Sequence, residues 1–368
     1  METTEILKNI GERTGGDIYL GIVGPVRVGK STFIKKFMEQ AVIPYVEDEY
    51  EKGRMIDELP QSGEGKTIMT TEPKFVPNNA ATIAFDDGFT VKVRLVDCVG
   101  FVIPEAKGYK DENGMRMVRT PWYDEAIPFN EAAKTGTQKV IQDHSTIGIV
   151  ITTDGSIADL PRDSYIEAEA EVIDELTQIG KPFIIIVNSK DPSSIQCRSV
   201  VDKLKEKTQV PVLPMAVNRL DENDIHALLR EALYEFPVSE INVQMPKWVS
   251  VLSDEHWLKQ SLNGSIEESM KAITKLREVE GIVDILNENE YVEKSNLATV
   301  DTGKGVAVVD LEVKSGLYNQ VLKEIIGQDI TDKAQLMQLM QEFAEAKREY
   351  DAISSALKMV KQTGYGFA

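Results

Sequence analysis

The 368-residue sequence has few cysteines, and it has no long apolar run. Its two cysteines, Cys98 and Cys197, are too few for a disulfide framework or a zinc site, which indicates a reducing compartment. An uninterrupted apolar stretch of about eighteen residues, the minimum for a membrane span, does not occur. The N-terminal segment METTEILKNIGERTGG also lacks the basic and apolar regions of a signal peptide. The sequence therefore predicts a soluble, cytoplasmic protein without direct transmembrane insertion.

Positive charge is scarce as well. The 41 Lys and Arg residues are outnumbered by 60 Asp and Glu residues, which gives a formal net charge of -19 at pH 7. A field of this sign repels a phosphate backbone, so nucleic acid is not an expected partner. Contact with an anionic membrane would require a local basic patch or a second protein.

Apolar runs and amphipathic segments alternate along the first part of the chain, from Asp17 to about Phe236. This alternation predicts a mostly parallel α/β sheet that is covered by helices on both faces. The predicted strands are residues 17–24, 91–100, 146–154, 182–189 and 210–217, and the predicted helices are 32–41, 164–179 and 222–233. Residues 51–77 and 104–129 exceed what a minimal α/β unit needs, and the second segment is expected to form its own surface feature.

The pattern changes near residue 238, which predicts a first domain over 1–238 and a smaller α+β domain over 239–368. In the second domain the predicted elements are helical structure over 247–279, a strand over 305–313 and one long helix over 331–361. On this long helix, apolar residues alternate at steps of three and four, which is the heptad pattern of a coiled-coil seam. The seam residues are Leu336, Leu339, Phe343, Ala346, Tyr350, Ile353, Leu357 and Val360. The seam is expected either to pack within the chain or to mediate self-association.

The segment GPVRVGKST, Gly24 to Thr32, matches the pattern G-x-x-x-x-G-K-S/T between a predicted strand and a predicted helix. In a P-loop of this kind, glycines let the backbone wrap a polyphosphate, so that N–H groups and a helix N-terminus face negative charge. Lys30 is predicted to contact the β- and γ-phosphates, and the Ser31 hydroxyl is predicted to ligate Mg²⁺. The predicted nucleotide-binding residues of this loop are Gly24, Val28, Gly29, Lys30, Ser31, Thr32 and Arg27, which contacts phosphate or projects into solvent.

Asp97 ends an apolar run and stands three residues before Gly100, which gives the pattern D-x-x-G downstream of the P-loop. We expect Asp97 to hold the Mg²⁺ shell, chiefly through water, and the Gly100 N–H to sense the γ-phosphate. Phe101 occupies the position at which many switch GTPases have a glutamine that orients water. Hydrolysis therefore needs another residue or a neighbouring subunit to position water, or it is slow.

The segment GKTIMTTEPKF, residues 65–75, lies between the P-loop helix and the Asp97 strand, where a switch loop is expected. A threonine in such a loop can ligate Mg²⁺ and contact the γ-phosphate, so that the order of the loop reports whether the triphosphate is intact. Thr70 and Thr71 are the candidates ahead of Thr67, and Thr71 is a predicted metal ligand together with Ser31 and Asp97.

The stretch IIIVNSKDP, residues 184–192, bears on which base is bound. GTP-binding switch proteins end the matching strand in Asn-Lys-x-Asp, whose carboxylate reads guanine. Asn188 and Asp191 occur at this spacing and are predicted base-site residues, whereas Ser189 replaces the lysine whose stem packs along the base. These residues by themselves favour guanine slightly, leave adenine open, and also fit a turn with a purely structural role.

Longer segments beyond the nucleotide motifs carry a family resemblance. They are ERTGGDIYLGIVGPVRVGKSTFIKKFME, DELPQSGEGKTIMTTEPKFVPN, RLVDCVGF, KGYKDENG, TPWYDEAIPF, HSTIGIVITTDGSI, REALYEFPV and SALKMVKQTGYG. Across essentially its whole length the chain resembles the stage IV sporulation protein A family of endospore-forming bacteria. The resemblance implies a P-loop NTPase domain of the translation-factor-like GTPase type that binds and hydrolyses ATP with Mg²⁺. It also implies that Lys30 and Ser31 are the Walker A pair, Thr70 and Thr71 the sensor threonines, and Asp97 the Walker B aspartate.

The resemblance extends to assembly and partners. It implies a static homopolymer that forms the basement layer of the spore coat, on the outer forespore membrane surface in the mother cell. It further implies a C-terminal domain that polymerises and docks on a small membrane-bound sporulation peptide and other coat proteins. Because the sequence ends at Ala368, the chain is expected to lack that domain. A GTP-binding switch protein and a nucleotide-stabilised scaffold without significant turnover are the alternatives.

Overall fold

The structure is a computed structural model that describes residues 3–60, 73–85, 87–98, 100–103, 110–111, 114–120, 123–158, 160–330 and 332–365. Contacts divide the chain into two compact units. The first unit contains residues 1–242, 270–282 and 297–308, and the second contains residues 243–269, 283–296 and 309–368. The domain boundary near residue 238 stays a prediction.

The elements are numbered along the described chain. The strands are β1 (Asp17–Val23), β2 (Lys74–Ala84), β3 (Thr90–Asp97), β4 (Lys110–Asp111), β5 (Gly114–Met115), β6 (Met117–Thr120), β7 (Tyr123–Pro128), β8 (Ile147–Thr153), β9 (Phe183–Asn188), β10 (Val212–Met215), β11 (Glu240–Gln244), β12 (Val292–Asp301) and β13 (Val306–Val313). The helices are α1 (Thr3–Thr14), α2 (Lys30–Phe37), α3 (Glu49–Glu58), α4 (Phe129–His144), α5 (Ile166–Ile179), α6 (Ile195–Lys207), α7 (Glu222–Tyr234), α8 (Lys247–Ser250), α9 (Trp257–Ala272), α10 (Gly281–Asn287), α11 (Leu317–Ile326) and α12 (Lys333–Thr363).

The main sheet of the first unit has the strand order β10-β9-β8-β1-β3-β2. Strand β2 pairs antiparallel with β3, and the other neighbouring strands pair in parallel. Strands β8 and β9 are buried along their whole length, because a parallel sheet covered on both faces requires continuous apolar runs. All five predicted strands are present and parallel, which confirms the predicted mostly parallel α/β fold.

Several elements of the first unit were not predicted. They are helices α1, α3, α4 and α6 and the antiparallel edge strand β2. The predicted helix over 32–41 is wrong at its end, because α2 stops at Phe37 and residues 38–42 form a π-helical turn. Within residues 104–129, strands β6 and β7 pair as an antiparallel hairpin.

The second part of the chain contains the predicted strand and the predicted long helix. Strand β13 matches the predicted strand over 305–313, and β11, β13 and β12 form a sheet in that order. Helix α12 begins after Asp332, whose carboxylate accepts hydrogen bonds from the Ala334 and Gln335 N–H groups at 2.8 and 2.9 Å. Such an N-cap fixes where the helix starts. The predicted helical segment 247–279 is interrupted, since α8 ends at Ser250 and α9 begins at Trp257. None of the helices in the described part of the chain is long and apolar enough to span a membrane.

Candidate functional site

The loop between β1 and α2 has the backbone of a phosphate-binding cradle. Gly24, Arg27 and Gly29 have φ angles of 141°, 66° and 99°, in the region that disfavours side chains with a Cβ. A Cβ at Gly24 would collide with the Ile151 carbonyl oxygen, and one at Gly29 would lie 2.5 Å from Asn188 Nδ2. Arg27 adopts this conformation without being glycine, and such local strain is concentrated at functional sites. The two glycines are therefore required by the path of the loop.

Lys30 is the first residue of α2, and its side chain is buried against this loop. Its Nζ donates hydrogen bonds to the carbonyl oxygens of Gly24 at 3.2 Å and Pro25 at 2.7 Å. Burial lowers the pKa of Lys30 to about 8, while the nearby charge of Asp97 opposes the shift. The two carbonyl dipoles accept hydrogen bonds from the ammonium group but do not neutralise its charge.

Ser31 and Asp97 meet beside Lys30. The Ser31 hydroxyl donates a hydrogen bond of 2.7 Å to Asp97 Oδ2. Asp97 ends β3, whose register places it beside Ile22 near the end of β1. Burial raises the pKa of Asp97, and the Ser31 hydrogen bond and the Lys30 charge oppose this shift. A hydroxyl and a carboxylate thus lie together at the carboxyl edge of two adjacent parallel strands, where ligands bind in folds of this type.

Gly100 completes the wall next to Lys30. Its φ angle is 92°, and an added Cβ would collide with Lys30 Nζ and lie 2.5 Å from the Gly24 carbonyl oxygen. The neighbouring Phe101 donates its N–H to the Gly24 oxygen at 3.1 Å and accepts from the Val26 N–H at 3.0 Å. This bridge holds the D-x-x-G segment against the P-loop. The predicted residues Lys30, Ser31, Asp97 and Gly100 are therefore brought together, and Thr32 follows them on α2.

This arrangement fits a polyphosphate and its divalent ion. The buried ammonium, the N-terminus of α2 and the loop backbone around Gly29 offer positive charge and N–H dipoles to an anion. The Ser31 hydroxyl and the Asp97 carboxylate are oxygen ligands of the kind that Mg²⁺ prefers, and Mg²⁺ commonly takes its other ligands from phosphates and water. Among the described residues, no three His, Cys, Asp or Glu side chains form a metal-binding cluster.

Asn188 joins the P-loop to the opposite side of the site. The side chain is buried at the end of β9, where Nδ2 donates to the Val28 carbonyl oxygen at 2.8 Å. Its Oδ1 accepts a hydrogen bond of 3.2 Å from the Val217 N–H, just after β10. Asn188 therefore links three loops that come from different strands. Val28 therefore belongs to the site through its backbone carbonyl oxygen, which accepts the hydrogen bond from Asn188.

Ser189 has a partner that the sequence did not reveal. Its hydroxyl is fully buried and donates a hydrogen bond of 2.6 Å to Asp154 Oδ2. Asp154 follows β8 and is also buried, and its other oxygen accepts from the Ser156 N–H and hydroxyl at 2.9 and 2.6 Å. The position of Asp154 after an apolar parallel strand was a signal that it belongs to this edge of the sheet. The residue that replaces the guanine-site lysine thus points into a buried polar network.

Asp191 lies on the exposed side of the same turn. Its Oδ1 accepts hydrogen bonds from the Ser193 N–H at 3.0 Å and the Ser193 hydroxyl at 2.6 Å. These bonds lower the pKa of Asp191. The Asp191 N–H donates to the Ser189 hydroxyl at 3.1 Å, so the turn is also held from the buried side. The sensor candidates Thr70 and Thr71, and Thr67 with them, lie outside the described residues.

Comparison with known proteins identifies the family. A family model for the ATPase domain of stage IV sporulation protein A matches residues 1–237, and a model for the middle domain of the same protein matches residues 238–368. The chain belongs to the stage IV sporulation protein A family. All of the site residues described above lie within the part that matches the ATPase domain of this family.

Curated members of the stage IV sporulation protein A family match along the whole chain. The protein of that name from Bacillus subtilis is 56% identical over 368 residues, which are 100% of this chain and 75% of the relative. The one from Bacillus anthracis is 54% identical over the same shares of both chains. Among solved structures, translation elongation factor SelB from Methanococcus maripaludis in its apo form is 13% identical over 58% of this chain and 33% of that chain. The TM-score of this match is 0.30.

Proposed function

We propose that this chain binds ATP with Mg²⁺ between Gly24 and Thr32, hydrolyses it, and couples hydrolysis to self-assembly. The observation that carries the catalytic part is the buried Lys30 ammonium, which within the described structure hydrogen-bonds only to the Gly24 and Pro25 carbonyls. A buried charge is costly unless it is compensated, and a polyphosphate at the N-terminus of α2 would supply the missing negative charge. The ATPase domain of the family supports the same conclusion.

The site residues have roles that follow from their positions. Lys30 would exchange its carbonyl partners for oxygens of the β- and γ-phosphates, as a charge-assisted donor. Ser31 and Asp97, whose oxygens are 2.7 Å apart, would hold Mg²⁺ directly and through water. When bound there, Mg²⁺ would supply charge that neutralises the phosphate oxygens. The Gly100 N–H would contact the γ-phosphate and so sense its presence. We propose the same role for Thr70 and Thr71.

The attacking water must be oriented by a group other than the Phe101 side chain. That ring is 4% exposed, and the Phe101 backbone is bridged to Gly24 and Val26. A phenyl ring cannot accept a proton or a hydrogen bond from water in the way that a glutamine amide does. We therefore expect slow turnover by this chain alone.

We propose adenine as the base. The buried bond between Ser189 and Asp154 supports a departure from guanine recognition, because a lysine stem does not line the base site at this position. The second candidate is a GTP-binding switch, and Asp191 favours it, since its exposed carboxylate stands at the spacing of a guanine reader. The third candidate is a scaffold in which nucleotide only stabilises the fold.

The assembly part of the proposal follows the sporulation family. We propose that the chain contributes to a homopolymer at the outer forespore membrane surface in the mother cell, as the basement layer of the spore coat. A small membrane-bound sporulation peptide and other coat proteins are the proposed partners. Family membership and the exposed apolar face of α12 support this assignment.

The test combines nucleotide competition with phosphate release. We expect unlabelled ATP to displace a fluorescent nucleotide better than GTP, and phosphate release to require Mg²⁺. Lys30→Ala should weaken binding roughly 100-fold, since charge-assisted hydrogen bonds worth about 3 kcal/mol are lost. Lys35→Ala, on the same helix but half-exposed, is the matched control and should behave like the unmodified chain. Preferential displacement by GTP would support the switch, and phosphate release equal to that of Lys30→Ala would support the scaffold.

A further inference from the structure

Helix α12 presents an apolar face that the described part of the chain leaves largely uncovered. The helix runs over 31 residues, and of its seam residues only Leu339 is buried, at 8% exposure. The other large seam residues that remain exposed are Phe343 at 54%, Tyr350 at 55%, Ile353 at 41%, Leu357 at 39% and Val360 at 43%. Single exposed apolar residues are ordinary, whereas a continuous row of them marks an interaction site.

The spacing of this row fits one partner helix. In heptad notation, Leu336, Phe343, Tyr350 and Leu357 occupy the a positions, and Leu339, Ala346, Ile353 and Val360 occupy the d positions. The seam consists of these a and d positions, with the exposed Met340 beside it at an e position, and such a seam is narrower than the apolar face of a helix that packs on a globular core. The outer f positions are Gln341, Arg348, Ser355 and Gln362, so the row directly opposite the seam is polar, while Met337 and Met359 are exposed at neighbouring b and c positions. The pattern therefore indicates a two-helix coiled coil.

The charges beside the seam identify the partner and its direction. The g positions hold Glu342, Glu349, Ala356 and Thr363, and the e positions hold Met340, Lys347, Ser354 and Lys361. In a parallel pair, a g residue faces the e residue five positions later on the partner helix, so Glu342 of each copy would face Lys347 of the other. An antiparallel pair places g beside g, which brings glutamate next to glutamate. Glu342 and Lys347 therefore form one opposite-charge pair on each flank when α12 pairs with itself in the parallel direction.

We propose that α12 is a homotypic interface that pairs in parallel and in register with α12 of a second copy of this chain. This deepens the self-assembly part of the proposed function and does not depend on ATP hydrolysis. Pairing would bury the exposed aromatic residues at the a positions and place two Glu342–Lys347 pairs along the flanks of the seam. Because the seam has a single apolar face, each helix takes one partner there.

Charge reversal tests the pairing through sedimentation velocity of the 368-residue chain over a concentration series. We expect self-association by the unmodified chain, and a dissociation constant roughly tenfold higher for Glu342→Lys or Lys347→Glu alone, since each creates two like-charge pairs. An equimolar mixture of the two variants should regain association, because each then meets the opposite charge on the other. A monomer at all concentrations, or a mixture no better than either variant, would overturn the proposal.

Cysteine cross-linking tests direction and register. Val360→Cys at a d position should form an interchain disulfide under mild oxidation, as only a parallel, in-register pair brings these residues together. Ser355→Cys on the polar face is the matched control and should remain uncross-linked, and the native Cys98 and Cys197 are buried. Cross-linking of both variants to the same extent would overturn the proposal. So would a chain that stays monomeric but sediments with anionic phospholipid vesicles. Phosphate release measured on the same samples separates failure of this interface from failure of the ATPase proposal.

Discussion

At the scale of single residues, the buried ammonium group of Lys30 makes the stability of the fold depend on pH. Its pKa falls from 10.5 to about 8 because the ammonium group is buried. The unfolded chain therefore binds a proton at this lysine between about pH 8 and 10.5, where the folded chain does not. The cost of burying the ammonium is present below about pH 8 and is relieved as the pH rises through that window. Lys30 thus lowers stability at neutral pH, which is consistent with a role in binding an anion.

Nucleotide binding is predicted to take up a proton at Lys30. A bound polyphosphate favours the charged ammonium and raises its pKa, so a lysine that is mostly neutral at pH 8.5 becomes protonated. Calorimetry in two buffers with different ionisation enthalpies should give an uptake of about 0.8 proton per nucleotide at pH 8.5. At pH 7, where Lys30 is already charged, the uptake should fall to about 0.1 proton. The same uptake at both pH values would refute this linkage.

Ser189 is predicted to stabilise the fold through Asp154. Ser189→Ala leaves a buried carboxylate with one donor fewer, which should lower the free energy of unfolding by about 1–3 kcal/mol. Ser193→Ala is the matched control, since it removes an exposed hydrogen bond to Asp191 and should cost less than about 0.5 kcal/mol. Urea denaturation measures both changes. Equal losses of unfolding free energy would show that the buried hydrogen bond to Asp154 stabilises the fold no more than the exposed one to Asp191.

At the scale of elements, α1 shows how a helix can be missed in the sequence and still belong to the core. Ile6, Leu7 and Ile10 are fully buried, and α1 packs against α7 within the first unit. Arg13 near its end donates to the Ser239 hydroxyl at 2.8 Å and to the Lys304 carbonyl oxygen at 3.0 Å. These contacts join α1 to later segments of the same unit.

Removal of one side chain tests whether α1 is an integral part of the first unit. Leu7→Ala is predicted to lower the free energy of unfolding by about 2–5 kcal/mol, because it leaves a cavity in the core. Glu5→Ala, at an exposed position of the same helix, should change it by less than about 1 kcal/mol. The midpoints of denaturant unfolding distinguish the two variants. A small effect of Leu7→Ala would mean that α1 is dispensable.

At the scale of the whole molecule, the net charge of -19 limits which contacts can form. It repels nucleic acid, whose exclusion stays a prediction, and it also repels a second copy of the chain. Association between copies therefore needs local charge complementarity and an apolar surface that outweigh the overall repulsion. Helix α12 carries an exposed apolar row and the opposite charges of Glu342 and Lys347, so the proposed association between copies would depend on these local contacts.

The parts of the fold that could be predicted depend on local backbone geometry. The glycine spacing of residues 24–29, the continuous apolar runs of β8 and β9, and the period of α12 all follow from neighbours along the chain. Strand β2 could not be predicted in this way, because an antiparallel edge strand exposes many of its side chains and shows no strong period. The roles of Thr70, Thr71 and the other site residues stay predictions.

The amino-acid sequence by itself determined the phosphate loop, the parallel sheet, the long helix and the family, since each depends on residues that are close in the chain or on extended similarity. Only the tertiary structure decided that Ser189 is bonded to Asp154, 35 residues earlier, and that Asn188 links Val28 to Val217. It also decided that the seam of α12 is exposed in the described chain instead of packed within it. The physical reason is that contacts between distant residues depend on strand order and burial, which the local period of a sequence does not encode.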